Sequence, residues 1–168
     1  MFVRSRRRAV VLTAVTTAAL AISAFTFVPN SGPANAKPES KSKKKTEWIA
    51  VKKAHTQPQH LQPGDNWTIY LDLRKNDNGK PGRIVGDGSA QCSAVDVRPQ
   101  GAIVQCQYVL RNDHGTLALT SLMDRFGPGP HSAGASVNGG TRAYAEAEGD
   151  AVVTMHDERV TLRVRLGD

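Results

Sequence analysis

Most motifs that announce a common enzyme are missing from this sequence. It contains no Gly-x-Ser-x-Gly and no His-Glu-x-x-His, so neither the hydrolase nucleophile elbow nor the zincin site is present. Gly79-Lys80 is followed by Pro81, and Gly139-Gly140-Thr141 has no lysine, so no phosphate-binding loop is spelled out. The five histidines (His55, His60, His114, His131 and His156) show no i, i+2 or i, i+4 pairing; they read as surface residues, and no metal site is expected. Aromatics are scarce, with 3 Tyr, 2 Trp and 4 Phe, and they do not interleave with basic residues. Nucleic acid as a partner therefore gains little support. After residue 37 no long helical periodicity appears, which argues against a helical bundle.

A leader is present at the front. Arg4, Arg6, Arg7 and Arg8 precede an uncharged run from Ala9 to Val28, then the breaker Pro29-Asn30-Ser31 and the small-x-small triplet Ala34-Asn35-Ala36. This is the layout of a cleaved export signal over residues 1–36, with an uncleaved anchor as the alternative. The residues after the arginines do not fit a twin-arginine signal, and no cysteine at the cleavage site points to a lipoprotein. The chain is expected to be secreted or associated with the cell envelope. Four of its 22 basic residues belong to the leader, so the net charge of +7 overstates the basicity of the domain. Lysines crowd again between Lys37 and Lys53, and "KPESKSKKK" reads as a disordered linker over residues 37–46. That tail suits either weak contact with anionic envelope polymers or simple spacing from the membrane.

The two cysteines, Cys92 and Cys106, are expected to form a disulfide in an exported chain. They suit a hairpin centred near Pro99. A two-residue Pro99-Gln100 loop would leave them one register apart and on opposite faces, so the bridge requires an odd loop or a bulge. Gly101 is the candidate to supply it.

Short alternating segments separated by turn residues fill residues 47–168, the barrel domain. Eight strands are expected: residues 47–51, 67–73, 83–97, 102–110, 116–123, 134–137, 145–155 and 159–166. Gly86 and Gly88 suggest a bend in the third. The last is the clearest, with Val160, Leu162, Val164 and Leu166 alternating against Thr161, Arg163 and Arg165. The spacing fits an antiparallel barrel or sandwich, and closure would remove exposed edges. Glu146, Glu148 and Asp150 share one face of the seventh expected strand. Such acids can act as acid and base or hold calcium. The opposite face carries Ala147, Gly149, Ala151, Val153 and Met155, so the acids are expected to face water.

The segment "VNGGTRAYAEAEGDAVV" (137–153) resembles the "GGTGxYxGAxG" signature of the allene oxide cyclase-like and dirigent-like barrel superfamily. Gly139, Gly140, Thr141, Tyr144, Ala147 and Gly149 match it, while Arg142 and Glu146 replace glycines. The resemblance runs from Trp67 to Leu166 and includes the cysteine hairpin, "GTLALTSL" and "VTLRVRLG". It implies an all-β, eight-stranded antiparallel barrel with a hydrophobic lumen. Members include plant cyclases, dirigent proteins, and bacterial cyclases that close polyketide chains by [4+2] addition, and none needs a redox cofactor or metal for the steered step. Tyr144 matches the signature tyrosine. Tyr70 and Tyr144 become the catalytic candidates, and Trp67, Tyr108 and Met123 the substrate-binding ones. Alternation places Trp67 and Tyr70 on opposite faces, and Tyr70 is taken first.

The function expected is an exported, cofactor-free cyclase or isomerase that confines a lipophilic, polyketide-like molecule. The alternative is a non-catalytic carrier barrel for the same class of ligand. A wall-bound structural protein is a third reading, and a homodimer is compatible with any of them.

Overall fold

Alternation of apolar and polar residues is the dominant local signal, and it folds into strands almost without interruption. The structure is a computed structural model and describes residues 44–167. The expected leader, 1–36, and linker residues 37–43 lie outside the described residues. Eight strands follow in order: β1 (Lys44–His55), β2 (Asn66–Asp77), β3 (Lys80–Arg98), β4 (Gly101–Asn112), β5 (Gly115–Phe126), β6 (His131–Gly140), β7 (Gly149–Met155) and β8 (Arg159–Leu166). A single 3-10 turn, Arg142–Tyr144, stands between β6 and β7. Each strand pairs antiparallel with the next, and β1 pairs with β8 to close the barrel. The expected eight-stranded barrel is thus the fold, and closure leaves no free edge.

Three boundaries differ from expectation. Lys44, Lys45 and Thr46 pair with Leu166, Arg165 and Val164, so the sheet begins inside the expected linker. The turn cluster before Arg83 is narrower than its composition suggested. Asn78 and Gly79, with φ of 50° and 82°, make a two-residue reversal of the kind that matches strand twist. Residues 145–148, expected in the seventh strand, lie outside it, and β7 starts at Gly149. Asp150 then pairs with Arg165 on the outer surface, so this acid does face water.

The cysteines meet as the sequence required. Cys92 stands opposite Cys106, and the two are joined at an S–S distance of 2.01 Å. Arg98 pairs with Gly101 around the two-residue Pro99-Gln100 loop, and the register shifts between Ala94 and Asp96. The bulge therefore lies at Val95 in β3 and not at Gly101. One extra residue there restores the parity that puts both cysteines inside.

The interior is filled by side chains, as an eight-stranded barrel allows. One inward row crosses the wall through Trp67, Cys92, Cys106, Ser121, Ala135, Ala151 and Val164. Small residues dominate it, which leaves space for the Trp67 indole, only 2% exposed. The next row runs Ile69, Ala90, Tyr108, Leu119 and Val137, with Tyr108 1% exposed. Large beside small is how close packing is reached without voids.

Candidate functional site

The up-and-down topology sends alternate connections to opposite ends. At one end lie the segment after β1, the β3–β4 hairpin, the β5–β6 connection and the β7–β8 turn. They surround an open cavity of about 710 Å³ at the mouth of the barrel. Its apolar lining includes Leu61, Ile69, Val97 and Met155. Its charged and titratable lining includes Lys52, His55, Arg98, Arg125, His131 and His156, and among the described residues lining it Asp157 is the one acid.

Arg125 is placed by strand parity. Leu117, Leu119, Ser121 and Met123 point inward along β5 and are buried, and Arg125 continues that face at the rim. Its cross-strand partner on β4 is the small Ala102. Burial lowers the Arg125 pKa, an effect that Tyr108 and Asp157 oppose. Lys52 follows Trp48 and Ala50 on the inward face of β1, just before a register shift between Lys52 and Ala54. Its Nζ donates to the carbonyls of His156 (3.0 Å) and Asp157 (2.8 Å), tying β1 to the β7–β8 turn. Burial first and Arg125 second pull its pKa down. Burial and nearby Arg159 do the same for His156.

Polar groups beneath the mouth are short of partners. Among the described residues, five buried side-chain polar atoms make no hydrogen bond, and four belong to inward-facing residues here: Trp67 Nε1, Tyr108 Oη, Ser121 Oγ and Arg125 Nη1. Buried polar atoms are nearly always satisfied, so four together mark a place built for something else. Burial pushes the Tyr108 pKa up to about 12. Ser121 and Arg125 lie near enough to oppose that rise, although Ser121 and Tyr108 form no hydrogen bond of normal geometry. Tyr108 thus stays a neutral donor.

The structure brings three of the candidate residues together and separates the other two. Trp67, Tyr108 and Met123 all lie in the barrel core. Tyr70 does not, a correction to its place as first catalytic candidate. It is 49% exposed on the outer wall, and its hydroxyl donates to Asp87 Oδ2 at 3.2 Å. Arg111 grips the same carboxylate, with Nε at 2.8 Å from Oδ1, which makes a surface cluster. Parity decides this, since Tyr70 is an odd number of residues from the buried Trp67. Tyr144 is buried, but on the 3-10 turn at the opposite end of the barrel, where Asn112 Nδ2 donates to its hydroxyl at 3.0 Å. The two catalytic candidates therefore share no site.

Arg125, Ser121 and Lys52 were missed by the sequence reading. The signal for Ser121 and Arg125 was available in "LALTSLMDRF": two polar residues fall on the apolar parity of a strand. His55, His131 and His156 also converge on the mouth, because turns far apart in sequence share one end. Among the described residues no three His, Cys, Asp or Glu side chains group as metal ligands.

The chain matches no protein-family model and no curated protein. Among solved structures it is similar to a pyocyanin demethylase, with a TM-score of 0.57 and 18% identity, over 73% of this chain and 98% of that one. At that identity the likeness shows the barrel fold.

Proposed function

We propose that this chain is a small-molecule-binding barrel that receives its ligand at the mouth formed by the β3–β4 hairpin and the β7–β8 turn. The observation that carries this is the set of four unsatisfied buried polar atoms beneath an open cavity of about 710 Å³. Pockets that bind small molecules combine apolar walls with a few convergent polar groups. A similar barrel whose name gives it a small-molecule substrate, pyocyanin, adds support. Native mass spectrometry of protein purified from its host tests the reading. A stoichiometric small-molecule adduct is expected; an empty barrel that also takes up no apolar probe would overturn it.

A second reading, a cofactor-free cyclase or isomerase of the allene oxide cyclase-like kind, is favoured by Tyr108. A dry, neutral phenol can donate to charge developing on a substrate oxygen, and confinement of a flexible chain removes orientational entropy from a ring closure. In this reading Tyr108 takes the role first given to Tyr70 and Tyr144, and the polyketide-like substrate is retained. Incubation with linear polyene precursors separates the two: equal cyclisation with and without protein leaves only binding.

Export belongs to the same proposal and rests on the leader over residues 1–36. Envelope contact through the lysine tail is tested by deleting residues 37–43. The deletion stops there because Lys44 already pairs with Leu166. Release of the protein from the envelope is the expected result.

A further inference from the structure

We infer that the ligand of this barrel is an organic acid with an apolar body, bound head-first so that its anionic group meets Arg125 and the Tyr108 hydroxyl. The inference rests on the small-molecule reading of the mouth and specifies its chemistry. Arg125 lines the cavity, yet its Nη1 is buried and unpartnered, and it forms no ion pair with any described carboxylate. A guanidinium nitrogen buried without an acceptor is costly, and an anion is the group that repays that cost. Its planar fork favours a carboxylate or another delocalised oxyanion. Tyr108 Oη and Ser121 Oγ, buried and close to each other, supply hydroxyl donors below it.

Several details narrow the ligand further. Lys52 is tied to two backbone carbonyls of the β7–β8 turn, which leaves Arg125 as the cation nearest the Tyr108 hydroxyl. Orientation follows from depth. The unsatisfied donors belong to buried inward-facing residues, whereas Leu61, Val97 and Met155 line the open cavity and suit an apolar body. The positive charge of Arg98 and Lys52 at the mouth steers an acid toward the opening.

Matched probe pairs test this. cis-Parinaric acid and 2-naphthoic acid, each beside its primary amide, are titrated into the protein and followed by fluorescence and calorimetry. The acids should bind at least about tenfold tighter than the amides, a difference of about 1.4 kcal/mol. Arg125→Met should abolish that preference, and Arg125→Lys should keep part of it. Equal binding of acid and amide to the unaltered protein overturns the inference and leaves the small-molecule reading standing. An acid preference that survives in Arg125→Met also overturns it. Binding of neither member of any pair sinks both readings together. Should Arg125→Met fail to fold, the acid–amide comparison in the unaltered protein and in Arg125→Lys decides alone.

Discussion

The two ends of this barrel differ in how their polar groups are satisfied. At one end the 3-10 turn Arg142–Tyr144 packs against the barrel beside cavities of about 590 and 500 Å³ that Tyr144 lines, and the turn's polar groups find partners. Thr116 N donates to Thr141 Oγ1 (3.0 Å), Ala143 N donates to the His114 carbonyl (3.1 Å), and Asn112 Nδ2 donates to the Tyr144 hydroxyl (3.0 Å). Gly140 permits this closeness, since a Cβ there would lie 1.9 Å from the Thr116 carbonyl oxygen and 2.8 Å from Tyr144 Cβ. At the other end a cavity stays open above four unpartnered polar atoms. The plug is the stabilising end. The mouth gives up stability, and regions that do so are where function concentrates.

Removing the plug tests the first half of that contrast and should have the largest effect. Tyr144→Ala deletes a buried aromatic and leaves a cavity, at a cost of about 3–5 kcal/mol. Tyr144→Phe loses only the Asn112 hydrogen bond and should cost about 1 kcal/mol. Urea denaturation of both variants gives the measurement. Equal, small losses would show that the turn merely rests on the barrel. Because Tyr144 lies at the far end, Tyr144→Phe should leave acid binding at the mouth unchanged.

The mouth is tested through Tyr108 and pH. Its folded pKa of about 12 stands above the ordinary value of 10. The unfolded chain therefore gives up this phenolic proton first. Stability attributable to Tyr108 is intact below pH 10 and declines as pH rises from about 10 toward 12. The loss reaches about 2–3 kcal/mol. Tyr108→Phe should remove this component, so the stability difference between the two proteins ought to change sharply between pH 9.5 and about 12. Absorbance at 295 nm gives an independent check, because one of the 3 tyrosines should ionise last. A flat difference would mean that the phenol is reached by water, and the mouth would be wetter than its geometry indicates.

The contrast between the ends was only partly legible in the chain. Strand alternation gave the barrel, because a half-buried strand writes its inner face at every second residue; "VTLRVRL" does so without exception. The cysteine pair even required a parity change between positions 92 and 106, later found at Val95. Local alternation misled at Ala145–Glu148, where "AEAEG" reads as a strand while the chain is still leaving the Tyr144 turn. Tyr70 failed for a related reason: alternation put Trp67 and Tyr70 on opposite faces, and the inward face was given to Tyr70 when it belongs to Trp67. The mouth was least legible. Its residues come from five separate segments between Lys52 and Asp157, and only barrel closure brings them together. Arg125 alone carried a local clue, a charge on an apolar face.

That charge gives the smallest and most discriminating prediction, because its sign is opposite to that of an ordinary core substitution. A residue kept for packing should cost stability when replaced. A guanidinium kept for a ligand should not, because without the ligand it is a partly desolvated charge with one buried nitrogen that nothing accepts from. Arg125→Met retains much of the length and apolar stem while removing the charge. In the absence of ligand it should stabilise the barrel by about 1–2 kcal/mol. Lys52, whose pKa Arg125 pulls down, gains from the same change. Added 2-naphthoate should then reverse the order, stabilising the unaltered protein and leaving the variant unmoved, as binding linkage requires. Thermal melts of both proteins with and without the acid supply all four values. If Arg125→Met is destabilising in the absence of ligand, Arg125 is a structural residue and the difference between the two ends is one of shape alone.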